Sequence, residues 1–240
     1  MSAKRDIPRY LAVVPARSGS QRLPGKNLLP LGGRPLLGHT LEAARAARRL
    51  DAVVVSTDSQ QIADYAQSVG VDAQGLRPPE ISDDASPVVA ALQDAYAKFS
   101  RRQPPVAAVV LLQPTSPLRT ARHIDEAVEL FESSGADTVT AVRLSIEHPC
   151  WTWREAGDAL VPYASMREVE LDRCALPRTF VETGAIYIIK TSVLEAGRIY
   201  GDKVVGYRMD ALDSVDIDTA IDFEWAEFIL ARRPPGRQQK

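Results

Sequence analysis

Apolar runs of strand length alternate with segments of helical period along most of the chain. Tyr10 to Val14 is a short continuous apolar run, the mark of a strand covered on both faces. Leu36 to Arg49 follows as a helix with Leu37, Leu41 and Ala44 on one side. Ala52 to Val55 reads as a second strand, and Ser56-Thr57-Asp58 suits the N-terminus of a helix over Gln60 to Val69. A weaker strand is predicted over Val71 to Leu76. A helix over Pro87 to Phe99 places its proline in the first turn, where the missing N–H costs nothing. Val106 to Leu112 is the strongest buried-strand signal and stops at Gln113-Pro114-Thr115-Ser116-Pro117; a helix over Ala121 to Glu132 and a strand over Thr138 to Val142 follow. This alternation predicts an α/β fold with a mostly parallel sheet and helices on both faces. In such sheets ligands sit beyond the carboxyl ends of strands, which singles out the loops after Val14, Val55 and Leu112.

The pattern changes over residues 145–181. Pro149, Pro162 and Pro177 interrupt the chain, Trp151 and Trp153 lie close together, and charge is mixed. An irregular or β-rich excursion is expected there, inside a single domain spanning 1–240. Its apolar residues suit an oligomer contact, a lid or burial against the parent domain. A strand over Ala185 to Ile189 rejoins the core. A final helix over Thr219 to Ala231 is expected to set Ile221, Trp225, Phe228 and Ile229 on one face. The tail 232–240, with Pro234-Pro235-Gly236, is expected to be disordered.

Composition narrows the function. A formal net charge of −2 over 240 residues offers no general attraction to nucleic acid or to an anionic membrane, so any anion site must be local. No targeting or spanning segment is recognised, and a cytoplasmic protein is expected. Cys150 and Cys174 are too few for a disulfide framework; reduced thiols are the simpler reading, and a single bridge between them stays open.

The chemistry concentrates in the loop after the first strand, where small residues alternate with Arg17, Arg22 and Lys26. Several backbone N–H groups and three cations can face one polyanion there, the arrangement of a triphosphate cradle. It is not a Walker loop: five residues separate Gly19 from Gly25, and Asn27 follows Lys26. The alternative is a surface turn with solvated cations. Far downstream, Asp216 and Asp218 stand two apart, so in an extended segment both carboxylates share a face and can share a divalent cation; capping of the last helix is the competing role for Asp218. His39 and His123 read as structural, whereas His148, before Pro149 in the excursion, leaves open a reach into the site.

Ala16-Arg17-Ser18-Gly19-Ser20 with Leu23-Pro24-Gly25-Lys26-Asn27 resembles the signature of the acylneuraminate (CMP-sialic acid) synthetases. Ser56-Thr57-Asp58, Leu76-Arg77-Pro78-Pro79-Glu80, Leu111 to Arg119, Gly184-Ala185-Ile186-Tyr187 and Asp213 to Asp218 fall in the same order. The resemblance implies a Rossmann-like nucleotidyltransferase fold that transfers CMP from CTP to a sialic-acid-like nonulosonate and releases pyrophosphate. It implies Mg²⁺ on Asp216 and Asp218, and a homodimer built through the excursion. Arg17, Lys26 and Asn27, in one loop with Ala16, Ser18, Gly19 and Arg22, would hold the nucleotide. Arg77 and Gln113 would make further nucleotide or sugar contacts. Arg173 would face the acidic sugar, with Tyr187 beside it in a strand where packing is its first role.

The chain departs from the family at Ser20-Gln21-Arg22, where Ser-Lys-Gly is usual, at Cys150-Trp151, where a lysine can stand, and at Thr183, where asparagine is common. A different acceptor (another sugar acid or a phosphonate), GTP as donor, and a non-catalytic nucleotide-binding module are the alternative readings. All of them except the last require the cationic loop and the twin aspartates to converge.

Overall fold

A computed structural model describes residues 9–19, 22–83 and 85–233. Its first strand, β1 (Tyr10–Pro15), buries Leu11 and Val13 on one side and Ala12 and Val14 on the other, which is why the run is continuously apolar. After the cationic loop, β2 (Pro30–Leu31) and β3 (Arg34–Pro35) form a hairpin turned by Gly32 and Gly33 at φ 55° and 85°, angles that favour glycine. The helix–strand alternation then runs through α1 (Leu36–Ala46), β4 (Ala52–Ser56), α2 (Gln60–Ser68), α3 (Val88–Ser100), β5 (Ala108–Leu111), α4 (Ala121–Ser134) and β6 (Thr138–Leu144). In the excursion, β7 (Trp153–Ala156) and β8 (Ala159–Pro162) pair as an antiparallel hairpin, followed by the single turn α5 (Met166–Val169). The chain returns through β9 (Phe180–Lys190), α6 (Thr191–Glu195), β10 (Val204–Arg208) and α7 (Ala220–Arg232).

The main sheet has the order β10-β6-β9-β5-β1-β4, and its pairs are parallel except those that β9 makes with β5 and β6. The reversal matters for the site. Tyr187 stands opposite Leu111, the last residue of β5, so the residues before it in β9 lie beyond the carboxyl end of that strand. Leu37, Leu41, Ile124 and Val128 from α1 and α4 cover one face; Leu92 and Phe99 from α3 and Leu194 from α6 cover the other. A third cluster joins Leu31, Leu36 and Leu118 to Val215, Ile217, Ala226 and Ile229. Ile217 is fully buried in it, a gain of about 2 kcal/mol over exposure that pins the Asp216–Asp218 segment against the hairpin.

Several expectations are corrected. Val71 to Leu76 is not a strand: it makes one bridge, Asp72 to Val54, and then turns through Gln74 and Gly75 at positive φ. Pro87 precedes α3 as its cap and is not in its first turn. In α7 the core takes Ala226 and Ile229, whereas Ile221 (77% exposed), Trp225 and Phe228 face solvent, with the two aromatic rings stacked 5.2 Å apart. The apolar stripe expected to be buried is thus mostly on the outside, because α7 touches the body through small contacts near Leu31 and Leu118. The hairpin β2–β3, α6 and β10 had no counterpart in the sequence pattern; the first two are too short to show a period. Cys150 and Cys174 are free thiols. No helix among the described residues is long and apolar enough to cross a membrane. The expectations for residues 234–240 of the tail, and for Ser20 and Gln21, lie outside the described residues.

Candidate active site

Beyond β1 the chain leaves the sheet at Ala16, whose N–H donates to the Ser56 carbonyl at 2.9 Å. Asp58 then fastens the loop: its carboxylate accepts from the Ser18 N–H and hydroxyl, both at 2.8 Å. Buried Asn27 closes the loop from inside by donating to the Arg17 carbonyl at 2.9 Å. Arg17 itself reaches the Asp83 carbonyl at 3.1 Å. Gly25, at φ 67°, turns the chain into the short helical turn Lys26–Leu28 and aims Lys26 across the loop.

Lys26 Nζ donates to the Ile217 carbonyl at 2.9 Å and to Asp218 Oδ1 at 3.2 Å; Arg22 Nη1 donates to Asp218 Oδ2 at 3.0 Å. The cationic loop and the twin aspartates therefore meet. Asp218 is not the cap of α7. That role belongs to Thr219, in a reciprocal box with Asp222. Ile217 N–H donates to the Thr115 carbonyl at 2.8 Å, so the segment also bridges to the loop after β5. Asp216 is exposed, yet protein atoms crowd its carboxyl group. That loss of solvent raises its pKa above the usual 3.8, the nearby Asp218 charge adding to it, while a hydrogen bond with Thr115 and the Lys26 charge act the other way.

Arg77 and Gln113 approach from the neighbouring strand ends. Arg77 is buried, and its Nε and Nη2 have no hydrogen-bond partner among the described residues, a guanidinium held ready for an acceptor; burial lowers its pKa, with Asp58 opposing and Arg17 reinforcing the shift. Gln113 Oε1 lies 2.9 Å from where a Cβ on Gly184 would stand, and Asp216 Cγ lies 3.8 Å from the same point. Gly184, at φ 72°, is thus the junction between the β5 loop, β9 and the aspartates. Beneath it Arg119 is buried with no carboxylate partner among the described residues, donating to the Ala185 carbonyl at 2.5 Å, the Gln113 carbonyl at 3.2 Å and Thr40 Oγ1 at 2.6 Å. Desolvation pushes its pKa down to about 9.

Arg173 is not brought to this cluster: it lies over Trp151, 5.4 Å from the ring centroid, and donates to the Ile146 carbonyl, all within the excursion. Tyr187 is buried in the sheet with its hydroxyl turned to Glu182. His39, His123 and His148 bond to Leu31, Thr120 and Pro177 and are structural. A cavity of about 1110 Å³ lies elsewhere, lined by residues of α1, α4 and α7. Asp58, Thr115 and Arg119 shape the site but were passed over as individual residues, although each sits in a block that the sequence had marked.

A family model described as cytidylyltransferase matches residues 11–159, which hold the loops after β1, β4 and β5. The chain is 35% identical over 225 residues to the CMP-N,N'-diacetyllegionaminic acid synthase of Legionella pneumophila, covering 92% of this chain and 96% of that protein. It is 34% identical over 237 residues to the N-acylneuraminate cytidylyltransferase of Escherichia coli O18:K1:H7, covering 96% of this chain and 54% of that longer protein. In architecture it resembles a CMP:2-keto-3-deoxy-manno-octonic acid synthetase solved with CTP (TM-score 0.70, 19% identity, 93% of this chain and 99% of the other). A cationic loop and an aspartate pair meeting at the carboxyl ends of an α/β sheet, together with this match over well over half its length, place the chain in the cytidylyltransferase family.

Proposed function

We propose that the chain transfers CMP from CTP to a nonulosonate, a sialic-acid-like acidic sugar, releasing pyrophosphate. The observation that carries this reading is the contact of Lys26 with Ile217 and Asp218, which sets the polyanion cradle beside two carboxylates. When a sugar hydroxyl attacks the α-phosphorus, charge grows on the phosphoryl oxygens and on departing pyrophosphate. Arg17, Arg22 and Lys26, on the loop that Asp58 fastens through Ser18, stabilise that charge more than the ground state. Asn27 holds the loop's shape, and Arg77 and Gln113 orient the bound ligands. The donor set of Asp216 and Asp218 suits Mg²⁺, a hard cation usually held by one or two carboxylates plus phosphate and water. Burial raises the pKa of Asp216 and the Asp218 charge adds to it, and a cation there would offset both. Bound Mg²⁺ would neutralise phosphate charge.

CTP is favoured over GTP as the donor by the names of the relatives, and an acid sugar over a phosphonate by the same comparison. The excursion supports a homodimer: Leu144, Ile146, Leu160, Tyr163 and Met166 are each more than half exposed around its hairpin, a surface that a second copy would cover. Arg173 would then face the sugar carboxylate from that interface. Substrates of this kind and two free thiols fit a cytoplasmic protein. Incubation with CTP, Mg²⁺ and a panel of nonulosonates, read as pyrophosphate release, tests the proposal. Absence of turnover with every acid sugar would overturn it, and selective thermal stabilisation by GTP would overturn the donor assignment.

A further inference from the structure

The segment that carries Asp216 and Asp218 belongs to no strand or helix; it runs from the turn Ala211–Asp213 to the start of α7. Its Val215 and Ile217 pack with Ala226 and Ile229, so α7 runs back along it. One end of this pairing is closed by the cap of α7, where Asp222 accepts from the Asp218 and Thr219 N–H groups at 3.1 and 2.7 Å. The other end is closed by Arg233, which directly follows the helix. Its Nη1 donates to the Leu118 carbonyl at 3.2 Å, and its Nη2 to the Leu212 carbonyl at 3.2 Å and to Asp213 Oδ1. The second carboxylate oxygen of Asp213 faces His123 Nε2 at 3.6 Å.

This contact differs from an ordinary surface ion pair. The Arg233 side chain is only 10% exposed and that of Asp213 25%, so water and salt screen the pair little. The planar fork holds two carbonyls and a carboxylate at once, which the point charge of an ammonium cannot copy. Arg233 also lines both the cavity of about 1110 Å³ and a second of about 230 Å³ bordered by Glu126, Tyr207 and Asp210. With open space on both sides, its hydrogen bonds rather than close packing join these elements. The Leu118 contact matters most for the site. Leu118 lies in the loop after β5, the same loop whose Thr115 carbonyl accepts the Ile217 N–H at 2.8 Å. The aspartate segment and that loop are therefore tied twice, once beside the carboxylates and once through Arg233.

We infer that Arg233 is a positioning residue for the transfer. By locking Asp213 and the β5 loop to the end of α7, it holds Asp216 and Asp218 beside Lys26, in the place where they take the cation of the CTP complex. The inference rests on the transferase reading and adds to it a residue that acts only through the segment it clamps. Displacements of about 1 Å are enough to matter at such a site.

The test compares wild type with Arg233→Met, Arg233→Lys, Asp213→Asn and the double variant Arg233→Met with Asp213→Asn. Amide hydrogen exchange without ligands reads the segment directly. In Arg233→Met the Ile217 and Asp218 amides should exchange about tenfold faster or more relative to those of Val13 and Val110 in the central strands. Calorimetric titration with CTP at graded Mg²⁺ reads the site. The Mg²⁺ needed for half-maximal binding should rise about tenfold, the lower end of what a lost supporting contact costs a metal site, with KM for the acceptor sugar within about twofold of wild type. Arg233→Lys keeps a charge facing Asp213 but cannot span all three acceptors, and should fall in between. Because both side chains act through one contact, the double variant should be no worse than Arg233→Met. Should Arg233→Met fail to fold, Arg233→Lys and Asp213→Asn decide. Equal acceleration at all four amides, an unchanged Mg²⁺ requirement or additive losses in the double variant overturns the inference and leaves the transferase reading intact. Wild type inactive with every acid sugar overturns both.

Discussion

The ammonium of Lys26 donates to the carbonyl of Ile217 across 191 residues of chain, at 2.9 Å. This bond, shared with Asp218, ties the first loop of the sheet to the last segment before α7 and fixes where the positive and negative halves of the site meet. Lys26→Met should therefore lower kcat/KM by about a hundredfold or more, the scale of losing one preorganised charge at the phosphoryl group. It should also weaken CTP binding, measured by calorimetry. Activity within threefold of wild type would remove Lys26 from the machinery.

Asp216 and stability should be coupled in a particular direction. Because its folded pKa is raised above 3.8, the folded protein holds that proton more tightly than the unfolded chain. This group's contribution to stability is therefore full below 3.8 and is lost as pH rises from there through the raised value. Asp216→Asn should abolish transfer yet unfold at a higher temperature than wild type at neutral pH. Asp218→Asn should lower the titration of Asp216, followed by carbon NMR of the carboxyl group. A shift upward would show that Asp218 does not repel it.

The histidines act in the opposite sense. Burial pushes His39 and His123 below the usual 6.5, so both are neutral in the folded protein. The unfolded chain takes up more protons than the folded one as pH falls below 6.5, and stability is lost over that range. The urea midpoint should drop between pH 7.5 and pH 5.5, and His39→Gln with His123→Gln should flatten the profile. A profile equally steep in the double variant would locate the effect elsewhere.

Gly184 allows a sharp steric test. At φ 72° and with Gln113 Oε1 only 2.9 Å from its missing Cβ, Gly184→Ala must both adopt a strained backbone and displace the Gln113 side chain. A loss of about 1–2 kcal/mol in stability is expected from denaturant unfolding, with a larger proportional loss of turnover. Turnover unchanged by the substitution would mean that Gln113 has no place in the site.

Ile217→Ala separates anchoring from chemistry. It removes a buried side chain from the cluster under α7 and should cost about 3 kcal/mol, with turnover reduced because the flanking aspartates lose their anchor. A variant as stable as wild type would show that this cluster does not hold the segment.

Much of the scaffold was legible because burial leaves a local trace. Tyr10–Pro15 and Ala108–Leu111 are covered on both sides, so they appear as unbroken apolar runs, and α1, α2 and α4 carry the period of a one-sided helix. Arg17, Lys26, Asp216 and Asp218 were readable because cations among small residues and paired carboxylates are rare groupings with few chemical uses. The same logic failed where an apolar residue is not buried. In α7 the spacing of Ile221, Trp225 and Phe228 is that of a core face, but no other described element packs over it.

By its own pattern of residues the chain determined the order of most helices and strands, the loops that end at the ligand side, and the chemical kinds of group those loops carry. Each of these depends on neighbours a few positions apart. Tertiary structure alone decided that β9 runs backwards between β5 and β6, that Arg119 is buried beneath Gln113 and Ala185, and that Lys26 reaches Ile217. Those contacts join distant positions. Their partners are chosen by strand order and by which surfaces pack together, quantities that no local run of letters contains.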